Sequence, residues 1–236
     1  SKKNLISKLP NFDGITLRRG KIDAEILEKC KNLKVISRHG VGYDNVDIKF
    51  LKENNITLLV AASTAAVSPA EHIMFMILNI SKGGDLYDKT VRSGKFNSMM
   101  HMKNNNNFEL SNKKILIVGF GRIGRKLIKR CLGFEMKVYA YDPFVDQKII
   151  ESYDGIKIND LNEGLREADI LSLSVPLTEK TYNMINLERM KMMKKSAVII
   201  NTSRGSVVNE QDLNEALNKG IIYGAGLDVF EKEPPD

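Results

Sequence analysis

Short apolar runs alternate with amphipathic stretches between residues 13 and 60. GITLR, KVISR and ITLLV are rich in residues that favour strands, whereas DAEILEKC and DIKFLKENN space their apolar residues along one face of a helix. Strands that alternate with helices pair in parallel, because each crossover helix returns the chain to the same end of the sheet. The pattern therefore predicts a parallel α/β unit.

The same alternation resumes after residue 113 and continues to the end of the chain. Its predicted strands are KILIVGF, KVYAYD, IKI, DILSLSV, AVIIN and IIYGAGLDVF. Its predicted helices are RIGRKLIKRCLGF, LNEGLREA and EQDLNEALNKG. The polar stretch KNNNNFELSNK at 103–113 cannot bury apolar surface, and we predict a loop there.

A longer helix is predicted between the two alternations, in SPAEHIMFMILNIS. Ser68 and Glu71 have the spacing of a capping box, and Pro69 suits the first helical position. A chain of 236 residues accommodates two domains. We predict an α/β fold with two doubly wound parallel sheets, in domains 1–66 and 67–236, with this helix at the start of the second.

Composition restricts the class of protein. The chain is 42% hydrophobic and 28% charged, which is ordinary for a globular protein. The longest apolar run, IMFMIL at 73–78, is far shorter than the roughly 18 residues that span a bilayer. The start, SKKNLISKLP, has no apolar signal core. We therefore expect a cytoplasmic protein with no membrane association.

The charged residues and cysteines narrow the choice of ligand. The formal net charge is +7, but the basic residues are spread along the chain and no nucleic-acid-binding motif accompanies them. We predict a small anionic ligand and no nucleic-acid partner. Cys30 and Cys131 have no metal-type partners nearby in the sequence, so we predict neither a metal site nor a disulfide.

Three glycines follow a predicted strand and open a predicted helix. Gly119, Gly121 and Gly124 in ILIVGFGRIG form G-x-G-x-x-G at this place. The first glycine permits a tight turn, the second lets the backbone approach a pyrophosphate, and the third lets the helix pack against the strand. The amides at the helix start attract the phosphates. The motif predicts a dinucleotide site.

An acid ends the next predicted strand, 18 positions after Gly124 (142 minus 124). Asp142 stands where the ribose-binding acid of a dinucleotide fold belongs, and it would accept hydrogen bonds from both ribose hydroxyls. It would also repel a 2′-phosphate, and no arginine follows closely, so the predicted cofactor is NAD and not NADP. The alternative is that Asp142 only caps a turn with Pro143.

Four motifs in order resemble one enzyme family over nearly the whole chain. RHGVGYDNVD, AEH, VIINTSRGSVVNEQDL and GAGLDVFEKEPP are similar to motifs of the D-isomer-specific 2-hydroxyacid dehydrogenases. The resemblance implies a flavodoxin-like substrate domain at 1–66, a Rossmann NAD-binding domain at 67–236 and a cleft between them. It also implies a homodimer built largely by the region of the long helix.

The resemblance assigns a catalytic pair, 29 residues apart (233 minus 204). Arg204 of TSRG would hold and polarise a 2-oxo acid, and Glu233 of EKEPP would orient and charge-stabilise a catalytic histidine. The chemistry supports Arg204 independently, because a guanidinium makes a forked and permanently charged contact that lysine does not reproduce. The alternative is a surface arginine paired with a nearby acid.

The resemblance also assigns contacts to the cofactor. Arg122 and Ile123 would offer amides to the pyrophosphate, and Asp228 would bind the carboxamide of the nicotinamide. The nicotinamide side would be lined by Val175 and by Thr202, Ser203 and Arg204. Backbone contacts tolerate many side chains, so Val175 also fits ordinary strand core.

Substrate contacts are predicted in the first domain. Gly40, Val41 and Gly42 would present amides to the substrate carboxylate, although a plain strand-to-helix turn needs glycine too. Arg18 and Arg38 are similar in position to residues that face the substrate phosphate in phosphoglycerate dehydrogenases of the family. Lys21 would add charge to a phosphate site there.

The resemblance places the catalytic histidine beyond Glu233, in a segment that these 236 residues do not contain. We therefore expect a fragment, incomplete at both ends, that binds NAD with almost no turnover. None of His39, His72 and His101 occupies the expected place, and His39, in the substrate loop, is the nearest substitute.

Two classes of function follow. The first is an NAD-dependent oxidoreductase of a D-2-hydroxy acid, with 3-phosphoglycerate in serine biosynthesis as the leading substrate and glyoxylate or hydroxypyruvate reduction as the alternative. The second is a non-catalytic NAD-binding module. The presence of both Arg204 and Glu233 favours the enzyme.

Overall fold

The computed structural model describes residues 2–18, 20–61, 66–99 and 107–235. The chain divides into two compact units, Ser1–Ala65 and Ala66–Asp236. Within the described ranges, no helix is both long and apolar enough to cross a membrane. The same ranges hold no cluster of three histidine, cysteine or acidic side chains arranged for a metal ion.

The first unit is a three-stranded parallel sheet in the order β1-β2-β3. Its strands are β1 (Gly14–Leu17), β2 (Val35–Arg38) and β3 (Thr57–Val60). Its helices are α1 (Lys2–Lys8), a 3₁₀ turn (Leu9–Asn11), α2 (Ala24–Leu27) and α3 (Ile48–Glu53). Leu17, Arg38 and Val60 lie side by side in register, so the three strands end at one edge.

Local chemistry explains the helix starts in this unit. Asp23 accepts a hydrogen bond from the Ile26 amide at 3.2 Å, and Asp47 accepts one from the Phe50 amide at 3.0 Å. Each acid therefore caps its helix by satisfying an amide that has no intrahelical partner. The helices then cover a small apolar core that surrounds the fully buried Ile36.

The second unit contains a six-stranded parallel sheet. Its strands are β4 (Lys114–Val118), β5 (Lys137–Tyr141), β6 (Ile156–Lys157), β7 (Ile170–Leu173), β8 (Val198–Asn201) and β9 (Gly224–Leu227). Its helices are α4 (Val67–Lys82), α5 (Gly84–Arg92), α6 (Phe96–Met99), α7 (Arg122–Gly133), α8 (Gln147–Glu151), α9 (Leu161–Glu167), α10 (Leu187–Met192), α11 (Glu210–Asn218) and a 3₁₀ turn (Gly205–Val207).

The strand order is β6-β5-β4-β7-β8-β9, and every neighbouring pair is parallel. The order reverses between β4 and β7, and ligands of such sheets bind outside the carboxyl ends of the strands at this point of reversal. The predicted α/β architecture with parallel sheets is confirmed.

Both faces of the large sheet are buried. Ile115 and Ile117 point into one core with residues of α4 and α7, whereas Leu116 and Val118 point into the other with residues of α9, α10 and α11. Side chains alternate between faces along a strand. The apolar run KILIV is therefore continuous, as expected for a parallel strand covered on two sides.

The cysteines are part of these cores. Cys30 and Cys131 are both buried and free. Burial raises the pKa of the Cys131 thiol to about 12, and burial also raises the pKa of Cys30. Because the thiolate is the reactive form of cysteine, both side chains act as packing groups at neutral pH.

The start of α4 differs from the prediction. The helix begins at Val67, its N-cap is Ala66, and no side chain caps it. Ser68 lies inside the first turn, and Glu71 pairs with Arg130 of α7 at 2.8 Å instead of reaching back to the helix start. The capping-box assignment was wrong, because the contact with α7 uses the carboxylate that the box requires.

Several short helices were not predicted. Among them, α1 and α5 contain no fully buried residue. In the polar stretch 103–113, residues 107–113 contain no helix or strand, and residues 103–106 lie outside the described residues. The histidine at 101 also lies outside them.

Asp169 joins three segments at the amino edge of the large sheet. Its carboxylate accepts hydrogen bonds from the Lys114 amide and from Lys194 Nζ, both at 2.8 Å. Burial raises the pKa of Asp169, but the hydrogen bonds from the Lys114 amide and from Lys194 outweigh it, and the pKa lies below its ordinary value. The folded state therefore stabilises the ionised form.

We expect Asp169→Asn to lower the free energy of unfolding by about 1–3 kcal/mol at pH 7. The folded-state pKa is below the unfolded value, so the stabilisation is present above roughly pH 4 and is lost as the pH falls through the folded pKa. Urea unfolding at pH 7 and at pH 3.5 measures the difference. Glu179→Gln, on an exposed loop, is the control, and a difference that does not change with pH would contradict the assignment.

Candidate functional site

The three glycines of the predicted turn each have a distinct steric environment. Gly119 follows β4 directly, with φ of +95°, and a Cβ there would lie 2.4 Å from the Ser174 carbonyl oxygen. A Cβ on Gly124 would lie 2.5 Å from the Gly119 oxygen. By contrast, a Cβ on Gly121 would meet nothing within 4 Å. The turn therefore has no room for a side chain at Gly119 or Gly124, whereas Gly121 faces open space.

The open space lies at the start of α7. Gly121 is the N-cap, and no side chain accepts a hydrogen bond from the first-turn amides. These amides and the helix dipole favour a bound anion at this end. The side chain of Arg122 is exposed, and that of Ile123 packs against the core. The backbone amides of both residues lie in the first turn of α7. The geometry suits the pyrophosphate of a dinucleotide.

Asp142 follows β5 beside this turn. Its Oδ2 accepts a hydrogen bond from the Phe120 amide, and its Oδ1 accepts one from the Phe144 amide, both at 2.9 Å. The carboxylate therefore caps the turn that contains Pro143 and is also tied to the glycine turn. Each carboxylate oxygen has two lone pairs, so both oxygens retain capacity for ribose hydroxyls. Asp142 can therefore cap the turn with Pro143 and also bind the ribose of a dinucleotide.

The ends of β7 and β8 carry polar atoms that lack partners. Ser174 Oγ and Thr202 Oγ1 are buried and have no hydrogen-bond partner among the described residues. Buried polar groups are normally satisfied, so these hydroxyls fit a site that binds a polar ligand. Val175 packs against the core beneath β7 and is half-buried, which suits strand core as well as a cofactor contact.

A buried asparagine shapes the loop after β8. Asn201, only 1% exposed, donates from Nδ2 to the Arg204 carbonyl oxygen at 2.9 Å. Its Oδ1 accepts from the Ser203 amide at 3.0 Å and from Ser203 Oγ at 2.8 Å. Asn201 thus sets the path of Thr202 to Arg204. Asn201 was not among the predicted site residues, although it is the polar residue that ends the apolar strand VIIN.

The Arg204 loop lies against the segment that holds Glu233. A Cβ on Gly205 would lie 1.9 Å from the Phe230 carbonyl carbon, so only glycine permits this approach. Glu210 and Glu231 strengthen the contact, because each carboxylate accepts a hydrogen bond from the other residue's amide, at 3.2 and 2.5 Å. The structure therefore brings together the two segments of the predicted catalytic pair.

The side chains of the pair are held by local contacts. Arg204 Nη1 donates to the Ser203 carbonyl oxygen at 2.6 Å, and Glu233 Oε1 accepts from the Phe230 amide at 3.3 Å. In residues 66–99 and 107–235, the one histidine is His72, which lies 3.5 Å from Asp228 and makes no hydrogen bond with Glu233. Asp228 follows β9, and its amide donates to the Asn201 oxygen at 3.0 Å.

The first unit has a pocket of about 510 Å³ at the carboxyl edge of its sheet. Its lining residues come from the ends of all three strands: Thr16, Leu17, Arg18, Ser37, Arg38, His39, Leu59, Val60 and Ala61. Both predicted phosphate-facing arginines line this pocket. Lys21, Val41 and Gly42 do not line it.

Arg38 is held in place by the backbone. Its Nη1 donates to the His39 carbonyl oxygen at 2.6 Å and to the Leu17 carbonyl oxygen at 3.3 Å. Gly40 has φ of +136°, in the region that favours glycine, and a Cβ there would lie 3.4 Å from Arg38 Nη1. Arg38 therefore supports the turn that begins the predicted substrate loop. Val41 is exposed.

Comparison with protein families gives two matches. Residues 74–236 match the model described as "D-isomer specific 2-hydroxyacid dehydrogenase, NAD binding domain". Residues 1–136 match the model described as "D-isomer specific 2-hydroxyacid dehydrogenase, catalytic domain". The NAD binding match includes the glycine turn, Asp142 and the Arg204 loop.

Curated relatives differ in their substrates. A D-3-phosphoglycerate dehydrogenase of Methanocaldococcus jannaschii is 36% identical over 236 residues, which are 100% of this chain and 44% of that protein. A hydroxypyruvate reductase of Thermotoga maritima is 37% identical over 235 residues, 99% of this chain and 74% of that protein. The chain thus spans less than half the length of the first relative.

A solved structure has the same arrangement of elements. The D-lactate dehydrogenase from Aquifex aeolicus, complexed with NAD and lactic acid, superposes with a TM-score of 0.88 and 33% sequence identity. The superposition covers 96% of this chain and 67% of that one.

Proposed function

The chain belongs to the D-isomer specific 2-hydroxyacid dehydrogenase family, and we propose that its function is the NAD-dependent oxidation or reduction of a D-2-hydroxy or 2-oxo acid. One observation carries the proposal: the glycine turn, Asp142 and the Arg204 loop follow β4, β5 and β8 at the carboxyl edge of the six-stranded sheet. That edge is where such folds bind dinucleotides.

We propose that the cofactor is held in three places. The amides beside Gly121 at the start of α7 would hold the pyrophosphate, Asp142 would hold the adenosine ribose, and Thr202 and Asp228 would contact the nicotinamide. When bound, NAD accepts or donates a hydride at C4 of the nicotinamide. This placement is supported by the tight packing around Gly119 and Gly124 and by the Thr202 hydroxyl, which has no hydrogen-bond partner among the described residues.

We propose that Arg204 binds the acid. Its guanidinium offers a forked pair of donors to the substrate carboxylate and polarises the carbonyl beside it. Glu233 would favour the charged form of the histidine that the family resemblance implies, which exchanges the proton of the substrate hydroxyl. The amides of Gly40, Val41 and Gly42, in the first unit, would bind a substrate carboxylate.

We further propose 3-phosphoglycerate as the substrate, in serine biosynthesis. Support comes from the two arginines that line one pocket, Arg18 and Arg38, and from the likeness to D-3-phosphoglycerate dehydrogenases. Hydroxypyruvate or glyoxylate is the second candidate, favoured by the fact that Arg38 Nη1 already donates to two backbone carbonyls. A cytoplasmic location and a homodimer formed by the α4 region stay predictions.

The test is NADH oxidation with phosphohydroxypyruvate, hydroxypyruvate and glyoxylate, measured on the protein at the length its gene encodes. We expect turnover with the phosphorylated acid at the highest kcat/KM. Highest kcat/KM for an unphosphorylated acid would select the second candidate. Binding of NADH without turnover of any acid would instead support a non-catalytic NAD-binding module.

Arginine variants refine the substrate assignment. Arg18→Ala and Arg38→Ala should raise the KM for phosphohydroxypyruvate about tenfold or more, because each loses a charged hydrogen bond. The KM for hydroxypyruvate should change much less in Arg18→Ala, whereas Arg38→Ala should raise it as well, because Arg38 supports the Gly40 turn. Lys34→Ala is the control, since Lys34 precedes β2 at the opposite edge of the sheet and pairs with Asp13 at 3.0 Å. Equal effects of Arg18→Ala on both substrates would reject the phosphate role.

A further inference from the structure

His72, on α4, contacts one residue of the proposed nicotinamide site. Its Nε2 lies 3.5 Å from Asp228 Oδ1, and this is the one contact of the Asp228 carboxylate within the described parts of the chain. The Asp228 backbone is fixed, because its amide donates to the Asn201 oxygen at 3.0 Å. His72 is therefore the one described side chain that pairs with this exposed carboxylate.

The imidazole has a defined orientation. Its ring stacks on Phe75, one turn further along α4, with centroids 5.8 Å apart and planes inclined by 18°. The helix itself is anchored beside this point, since Glu71 pairs with Arg130 of α7 at 2.8 Å. Of the charged groups in the described residues, Asp228 is the one that pairs with the imidazole, at 3.5 Å.

We propose that His72 is a positioning residue of the cofactor site. Its Nε2 lies 3.5 Å from Asp228 Oδ1, and with the cofactor bound it would donate to that oxygen and leave Oδ2 to accept from the N–H of the nicotinamide carboxamide. The inference rests on the proposed function, because it requires the carboxamide at Asp228. Through this contact α4 takes part in nicotinamide recognition without touching the cofactor.

The role is specific to the carboxamide N–H. An analogue of NADH in which an acetyl group replaces the carboxamide has no N–H to offer to Asp228, but keeps the adenosine, the pyrophosphate and the pyridine ring. A substitution that acts through Asp228 should weaken the binding of NADH and leave the binding of this analogue unchanged. General damage to α4 would weaken both dinucleotides.

The experiment measures dissociation constants for NADH and for the reduced 3-acetylpyridine analogue by fluorescence titration. His72→Phe should weaken NADH binding about two- to fivefold, the range expected for an exposed charged contact, with the analogue unchanged. His72→Gln, which keeps an N–H donor at similar reach, should restore NADH affinity. Ser68→Ala, an exposed change in the first turn of the same helix, is the matched control and should alter neither dissociation constant.

The proposal would be overturned if His72→Phe bound both dinucleotides with equally reduced affinity, or if its affinity for NADH were unchanged. Failure of His72→Gln to recover NADH affinity would overturn it too, because a donor would then be irrelevant. If the unmodified protein binds neither dinucleotide, the proposed function itself fails and the inference fails with it. The two failures are therefore distinguishable in one data set.

Discussion

Arg204→Lys is expected to lower kcat/KM for the 2-oxo acid by about 10²-fold or more, although the positive charge is kept. A lysine offers one compact charge in place of the planar fork, so the two-point contact with the carboxylate is lost. Loss of a single preorganised donor at a developing oxyanion typically costs about 10²–10³-fold. Steady-state NADH oxidation by the protein at its gene-encoded length measures the effect.

Arg166→Lys is the matched control for Arg204→Lys. Arg166 is exposed on α9, on the far side of the sheet from α7, and its replacement should leave kcat/KM unchanged. NADH binding by Arg204→Lys, measured directly, separates loss of the acid contact from collapse of the loop. Wild-type kcat/KM in Arg204→Lys would remove this residue from the proposed mechanism.

Asp142→Ala is expected to reduce the preference for NADH over NADPH by about 10- to 150-fold. Loss of a charged acceptor costs roughly 1.5–3 kcal/mol in NADH binding. NADPH loses no such contact and is relieved of repulsion between its 2′-phosphate and the carboxylate. Titration calorimetry with both cofactors measures the ratio. Stronger binding of NADPH than of NADH by the unmodified protein would contradict the cofactor assignment.

A second substitution separates the charge of Asp142 from its structural contacts. Asp142→Asn keeps an oxygen that accepts from the Phe120 or Phe144 amide, but removes the negative charge. Asp142→Asn should retain the fold and still reduce the preference for NADH over NADPH. Asp146→Asn, four residues further on, is the control, because asparagine also caps α8 and the residue has no assigned cofactor contact.

The amino-acid sequence determined those features that rest on local pattern. The KILIV run and the strands like it predicted a parallel sheet, since burial on two faces requires continuous apolar residues. The steric environments of Gly119 and Gly124 were also predictable, because each follows from backbone sterics within one turn. The four motifs RHGVGYDNVD, AEH, VIINTSRGSVVNEQDL and GAGLDVFEKEPP together were sufficient to identify the family.

Only the tertiary structure decided the contacts between distant segments. It showed that Gly205 lies against Phe230, that Asn201 holds the Arg204 loop, and that Glu71 pairs with Arg130 instead of capping α4. It also showed that Arg38 donates to backbone carbonyls and that His72 reaches Asp228. Periodicity reports which face of an element is buried, but the partner of a polar side chain depends on how elements far apart in the chain pack together.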